Sequence, residues 1–299
     1  MKALQSSFLC LFLLCGAMVL GAQAPQWQWA VKAGGTDYEE SMSIATDSQG
    51  NQYITGMFDE IATFGSHTLM TSGGCDIFVA KLDASGNWLW AVRAGGTEND
   101  WGLFITVDGA DNAYVTGYFQ NTATFGSHTL TTNGEHDIFA AKLDASGNWL
   151  WAVKAGGVDW DIGGGIDVDE AGNAYVTGYF CYTATFGSHT LTTSGGADIF
   201  AAKLDPSGNW LWAVKAGGSG NDFGIRIALD GTGNAYVTGL FQGTVSFGSH
   251  TLTANGESDI FIAKLDPSGN WLSAVMGGGN NDIDVFGFVV DGSGNAWVT

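Results

Sequence analysis

Four acidic residues, Glu39, Asp100, Asp161 and Asp222, follow one another at intervals of 61 positions, with Tyr38, Trp101, Trp160 and Phe223 beside them. Carboxylates that recur at one slot could line a shared surface, where they would bind a divalent cation such as calcium or accept hydrogen bonds from sugar hydroxyls. The residues beside them vary from copy to copy, as in Tyr38, Trp101, Trp160 and Phe223, which permits specificity. Hydrolysis is less well served. A glycosidase needs two carboxyls with unequal roles about 5 to 10 Å apart, whereas near-identical copies create near-identical environments and push no pair of pKa values apart. A ligand-binding role is therefore assigned to Glu39, Asp100, Asp161, Asp222, Trp101 and Trp160, and no catalytic residue is named. The competing reading is that each aspartate caps its own turn by accepting backbone N–H groups. In a fifth copy, Asp282 or Asp284 falls near the same slot.

Other columns recur at the same interval. His67, His128, His189 and His250 share an FGSHTL slot, which suggests a metal, but equivalent positions on packed sheets lie about 10 Å apart and zinc ligands must each approach to about 2 Å. They read as turn or surface histidines, so no metal and no cofactor is expected, and calcium has no dedicated motif. Lys81, Lys142, Lys203 and Lys264 form one basic column and Lys32, Arg93, Lys154 and Lys215 another; such regularity points to structural pairing with aspartates. The pairs Trp88/Trp90, Trp149/Trp151 and Trp210/Trp212 alternate, so each pair projects from one face. Packing between sheets is the expected use, sugar stacking the alternative. In simple register Lys142 would oppose Trp151 and Lys203 would oppose Trp212, allowing cation–π contact. No nucleophile elbow, phosphate loop or dinucleotide fingerprint occurs.

These columns need a scaffold that repeats every 61 residues. Trp27, Trp88, Trp149, Trp210 and Trp271 mark its period without an insertion. Alternating apolar segments predict four strands per unit, in the third copy GGIDVD, NAYVTGYF, DIFAAKLD and NWLWAVKA, with a short hairpin (ATFG and HTLT) between the second and third. Turns such as Asp205-Pro206-Ser207-Gly208-Asn209 make each connection a tight antiparallel hairpin. One such unit cannot cover both of its faces, and packing the sheets side by side around an axis gives a β-propeller; a solenoid is the rival, with shorter coils. The fold class is thus all-β, with four-stranded antiparallel blades.

The series D-x-x-G-N-A-Y-V-T-G, then D-I-F-A-A-K-L-D-x-S-G-N, then W-A-V-K-A-G-G resembles the bacterial seven-bladed β-propeller repeat, the SBBP repeat, from about Trp27 to Thr299. The resemblance implies a secreted or surface-exposed bacterial propeller, often part of a longer protein that ends in a sorting domain, for which this chain shows no counterpart. Division at the Gly-Gly pairs gives a lone strand within 26–35, blades at 36–96, 97–157, 158–218 and 219–279, and a partial blade at 280–299. The chain reads as truncated, since a fifth blade assembled from these ends would lack its third strand and leave an unpaired edge.

Met1 and Lys2, the apolar run Phe8 to Leu20, and Ala22-Gln23-Ala24 form a secretory signal peptide pattern over 1–24. A retained membrane anchor is the alternative, although the run is short for a span of about 20 residues. Export to the medium or the cell surface follows, with no transmembrane segment in the mature chain. Ten Lys and Arg against 30 Asp and Glu, a formal charge of −20, would repel nucleic acid and anionic membranes. Cys75 and Cys181 occupy different slots and read as free thiols. The expected role is a monomeric, non-enzymatic binding, adhesion or structural module for extracellular glycans or proteins; the alternative is the scaffold of a secreted carbohydrate-active enzyme whose catalytic part lies elsewhere.

Overall fold

A computed structural model describes residues 28–279 and 285–299. The signal pattern, Trp27, Asp282 and Asp284 lie outside the described residues. The chain divides into two compact units, Met1–Ala30 and Val31–Thr299, and every strand below belongs to the second.

In that unit a short strand β1 (Ala33–Gly35) precedes the first blade, formed by β2 (Glu39–Thr46), β3 (Gln52–Phe58), β6 (Asp76–Leu82) and β7 (Trp88–Gly96), with a hairpin of β4 (Ile61–Phe64) and β5 (His67–Met70) between β3 and β6. The second blade is β8 (Trp101–Val107), β9 (Ala113–Phe125), β10 (His128–Leu143) and β11 (Trp149–Ala155). The third is β12 (Ile162–Val168), β13 (Ala174–Phe186), β14 (His189–Leu204) and β15 (Trp210–Gly218). In the fourth, β16 (Phe223–Leu229) and β17 (Ala235–Phe241) are separated from β20 (Asp259–Leu265) and β21 (Trp271–Gly277) by the hairpin β18 (Thr244–Phe247) and β19 (His250–Thr253). A final pair, β22 (Phe288–Val290) and β23 (Ala296–Val298), ends the chain. All pairings between strands are antiparallel.

The strands β2, β8, β12, β16 and β22 pack in succession, each against the next, and form the inner edge of their sheets. This is a β-propeller arrangement of four full blades and a partial one. The first inner strand, β2, and the last, β22, are not packed on each other as the consecutive ones are.

Period-2 alternation explains why the sheets stack. Phe139 and Ala141 on β10 join Ile77, Val79 and Val115 in the core between the first two blades. Their neighbours Ile138 and Ala140 face the other way, into the core with Ile166, Val176 and Phe200 of the third blade. A third core, with Ile199, Ala201, Val237 and Phe261, joins blades three and four. A side chain such as Phe139, fully buried, contributes about 2 to 3 kcal/mol, and neither face of a blade could gain this alone.

Two departures from the expected pattern share a cause. The extra hairpin is not separate in the second and third blades: β9 and β13 run through it, with breaks in register between Thr131 and His136 and between Cys181 and Thr183. Its first strand crosses to the preceding blade and pairs with the Gly-Gly pair ending that blade's outer strand: Gly95–Gly96 with Thr124–Ala123, Gly217–Gly218 with Ser246–Val245, and a single bridge from Gly156 to Thr185. In the same way β1 pairs with β4 through Gly34 and Gly35. The lone strand expected within 26–35 is therefore extended only over Ala33–Gly35 among its described residues, because the Gly-Gly clasp is the partner available to it. The second glycine of each pair is required: a side chain there would begin 1.8 to 1.9 Å from a carbonyl oxygen of the clasping hairpin.

Turn chemistry is as the sequence implies. Asp205 Oδ1 accepts the N–H groups of Ser207 and Asn209, while Gly208 adopts a φ of 85°. That glycine also makes room for the Trp151 ring of the preceding blade, which a side chain would meet at 2.9 Å.

Candidate functional site at the blade junctions

Asp100, Asp161 and Asp222 are fully buried. Each accepts two backbone N–H groups: Asp100 from Gly96 and Gln120, Asp161 from Gly157 and Cys181, Asp222 from Gly218 and Gln242, at 2.6 to 3.1 Å. The turn-capping reading describes this geometry; the carboxylates do not form a ring open to solvent. The chain needs an acceptor at this point because it crosses from the outer strand of one blade to the inner strand of the next, which leaves N–H groups of the clasp unpaired. Glu39, on the first blade, is less buried and accepts the Gly35 N–H at 2.9 Å.

Burial pushes the carboxyls of Asp100 and Asp161 up to about 7 and that of Asp222 up to about 6, against the lowering effect of the N–H groups. An aspartate of each third strand, at the start of β6 and within β10 and β14, adds to the rise: Asp76 acts on Asp100, Asp137 on Asp161 and Asp198 on Asp222. Those three bind the second basic column, Asp76 to Arg93 at 2.6 Å, Asp137 to Lys154 at 2.9 Å and Asp198 to Lys215 at 2.8 Å.

The first basic column also pairs structurally. Lys142 stands opposite both Trp151 and Tyr114, but its ammonium lies over the Tyr114 ring, 4.6 Å from the centroid, and 3.6 Å from Asp108. Lys203 likewise lies over Tyr175. The expected contact with Trp151 or Trp212 gives way to tyrosine because those indoles turn outward to the next blade. Trp151 and Trp212 donate to Pro206 and Pro267 carbonyls, and Trp149 and Trp210 sit edge-on to Phe125 and Phe186. The tryptophans thus pack between sheets, but the members of a pair do not share one face as the alternation implies. A bulge opposite Lys142 and Leu143 sends Trp149 into the core of the first two blades and Trp151 into the next, and the same shift separates Trp210 from Trp212. The four histidines occupy hairpin tips in separate units, and no group of three or more His, Cys, Asp or Glu gathers among the described residues.

What distinguishes one junction from the others is aromatic. Trp101 stacks on Tyr118 at 5.9 Å, Tyr118 meets His136 at 5.1 Å, and His136 lies 4.4 Å from Trp160. Trp160 is 47% exposed and its indole N–H donates to Glu135. Tyr179 and Phe223 form an edge-on pair one blade further along. His136 is buried, its Nδ1 has no hydrogen-bond partner, and burial lowers its pKa. Tyr118 and His136 belong to no acidic or tryptophan column of the sequence; their one signal is that His136 replaces Cys75, Ala197 and Ser258 at its slot.

The slot of Trp160 holds Asn99 and Asn221 in neighbouring units, and both accept a backbone N–H, from Cys75 and Ala197 at 3.1 Å. Trp160 cannot accept this bond. The middle junction closes instead through a parallel backbone bridge of His136 and Trp160, and carries an exposed ring in place of the asparagine.

Residues 211–240 match the family described as the SBBP β-propeller repeat. The chain is 25% identical over 231 residues to an uncharacterized WD repeat-containing protein of Acanthamoeba polyphaga mimivirus, covering 64% of this chain and 17% of that protein. It is 29% identical over 168 residues to the regulatory protein FlaEY of Caulobacter vibrioides, covering 54% of this chain and 18% of the relative. The chain thus spans less than a fifth of the length of these relatives.

Proposed function

We propose that this β-propeller repeat chain acts outside the cell as a non-enzymatic binding module, and that the face carrying Trp101, Tyr118, His136 and Trp160 takes an extracellular glycan or protein. One observation carries this reading: Trp160 is exposed beside a series of aromatic rings at a slot where two other units use an asparagine to close the backbone. An exposed tryptophan in place of a structural asparagine favours ligand contact, because indole supplies a large apolar face and loses little conformational entropy on binding. Export is supported by the pattern at 1–24.

The test is a glycan array and a pull-down of extracellular proteins with the whole chain, repeated with Trp160→Ala. The reading expects a ligand whose affinity falls by about tenfold or more in the variant, equivalent to about 1.4 kcal/mol, with unchanged melting temperature. Binding unaffected by Trp160→Ala and Trp101→Ala would move the site elsewhere.

A further inference from the structure

The mechanism of capping leaves one atom unexplained at each junction. Asp76, Asp137 and Asp198 use Oδ2 for their ion pairs and for a backbone N–H, from Ser72, Asn133 and Ser194. Their Oδ1 atoms are buried without a hydrogen-bond partner. A buried carboxylate oxygen left without a partner is costly, and it occurs at all three.

The glycine between the two carboxyls shows where the orphan points. A side chain on Gly95 would begin 2.2 Å from Asp76 Oδ1 and 2.9 Å from Asp100 Oδ2; on Gly156 it would begin 2.6 Å from Asp137 Oδ1 and 3.0 Å from Asp161 Oδ2. At Gly217 it would begin 2.3 Å from Asp198 Oδ1. In the first two junctions both carboxyl oxygens face one gap with room for no side chain.

We propose that each of the three crossovers is fastened by one proton held between two buried carboxyls, Asp100 with Asp76, Asp161 with Asp137 and Asp222 with Asp198, the loop aspartate being the donor. The protonated Oδ2 keeps a lone pair for the N–H of Gly96, Gly157 or Gly218, and its O–H satisfies the orphan Oδ1. The charged and titratable groups around each pair are few: Arg93, Glu98, Cys75 and Tyr118 at the first, Lys154, Asp159, Tyr179 and Cys181 at the second, and Lys215 at the third. One cation per pair balances one carboxylate, so the second carboxyl is neutral when the proton is in place.

The direction of the pH effect follows. The loop aspartates titrate at about 6 to 7 in the folded chain and near 3.9 when unfolded, so the folded state holds the extra protons. Their contribution is complete below about pH 4 and is lost as pH rises through about 6 to 7.

Carboxyl carbon NMR of the whole chain, with melting curves from about pH 4 to 9, tests this. Three carboxyls should titrate near neutrality, and the melting temperature should fall across that interval. Asp137→Asn places an amide N–H where the proton is proposed while its carbonyl keeps Lys154 and the Asn133 N–H; it should remove about a third of the fall and move Asp161 to lower pH. Asp198→Asn serves as a second variant if the first does not fold. Loop aspartates that all titrate below pH 5, or a melting profile unchanged in both variants, would overturn the proposal. So would calcium that abolishes the fall at pH 8, since a metal would then bridge the pairs.

Discussion

The indole N–H of Trp151 donates at 3.1 Å to the carbonyl of Pro206, which lies in the turn joining the third and fourth strands of the next blade. Trp90 and Trp212 make the same bond, to Ala145 and Pro267, so the outer strands of the first three blades are each tied to the next blade at the rim as well as through the core.

Trp151→Phe should keep most of the apolar contact and lose this bond, with a loss of about 1 kcal/mol. Trp151→Ala also vacates the space over Gly208 and should lose about 3 to 5 kcal/mol. Urea denaturation of both variants measures the difference; equal losses would mean that the hydrogen bond carries the whole effect.

The clasp gives a second expectation. At Gly157 a side chain would begin 1.8 Å from the Thr183 carbonyl oxygen, whereas at Gly109 nothing lies within 4 Å. Gly157→Ala should therefore cost about 3 kcal/mol or prevent folding, while Gly109→Ala should change stability by no more than about 0.5 kcal/mol. Thermal melts of the two variants side by side provide the check.

The fourth blade lacks an ion pair its predecessors have. Met276 stands where Lys215, Lys154 and Arg93 stand, and Asp259 is fully buried with an unpartnered Oδ1 and its Oδ2 held by Asn255. Met276→Lys should supply the absent cation and stabilise the chain by about 1.5 kcal/mol, at the lower end of the range for a hydrogen bond to a charged group. The gain should vanish in Asp259→Asn, a double-mutant cycle readable by urea midpoints.

The turn aspartates set the acid limb of the stability curve. Burial alone would raise the carboxyl of Asp230, but the side chains of Asn234 and Thr232 and the backbone N–H groups outweigh it and hold it well below the usual carboxylate range. Asp108 and Asp47 are lowered for similar reasons. A depressed folded value makes this contribution complete above the unfolded value near 3.9 and lost as pH falls below it. Melting temperature should drop steeply below about pH 4, and Asp230→Ala should lower stability at pH 5 by about 2 kcal/mol.

Much of the scaffold is legible in the sequence because the signals are local. The interval between Trp88 and Trp149, the alternation in DIFAAKLD and the Asp-Pro-Ser-Gly-Asn turn specify strands and hairpins without reference to the rest of the chain. The clasp is not legible in this way: Gly96 pairs with Ala123 across 27 residues, and nothing in a Gly-Gly pair names its partner. The same distance hides the orphan on Asp137, which depends on Asp161 and Gly156 arriving together. Trp101 and Trp160 stand out by copy-to-copy variation, yet their link through Tyr118 and His136 depends on strands β9 and β10 bringing those rings to one end of the sheet. Lys142 was legible as structural, but its choice of Tyr114 over Trp151 needed the rotation of the indole.

Because every clasp straddles the boundary between two copies, the stretch that repeats in the chain and the body that holds together in space do not share their boundaries. Gain or loss of one 61-residue copy, wherever the break falls, would regenerate the same seam on either side. Copy number in such proteins is consequently free to drift over evolutionary time, and an engineer wishing to lengthen this one could splice at any matching residue.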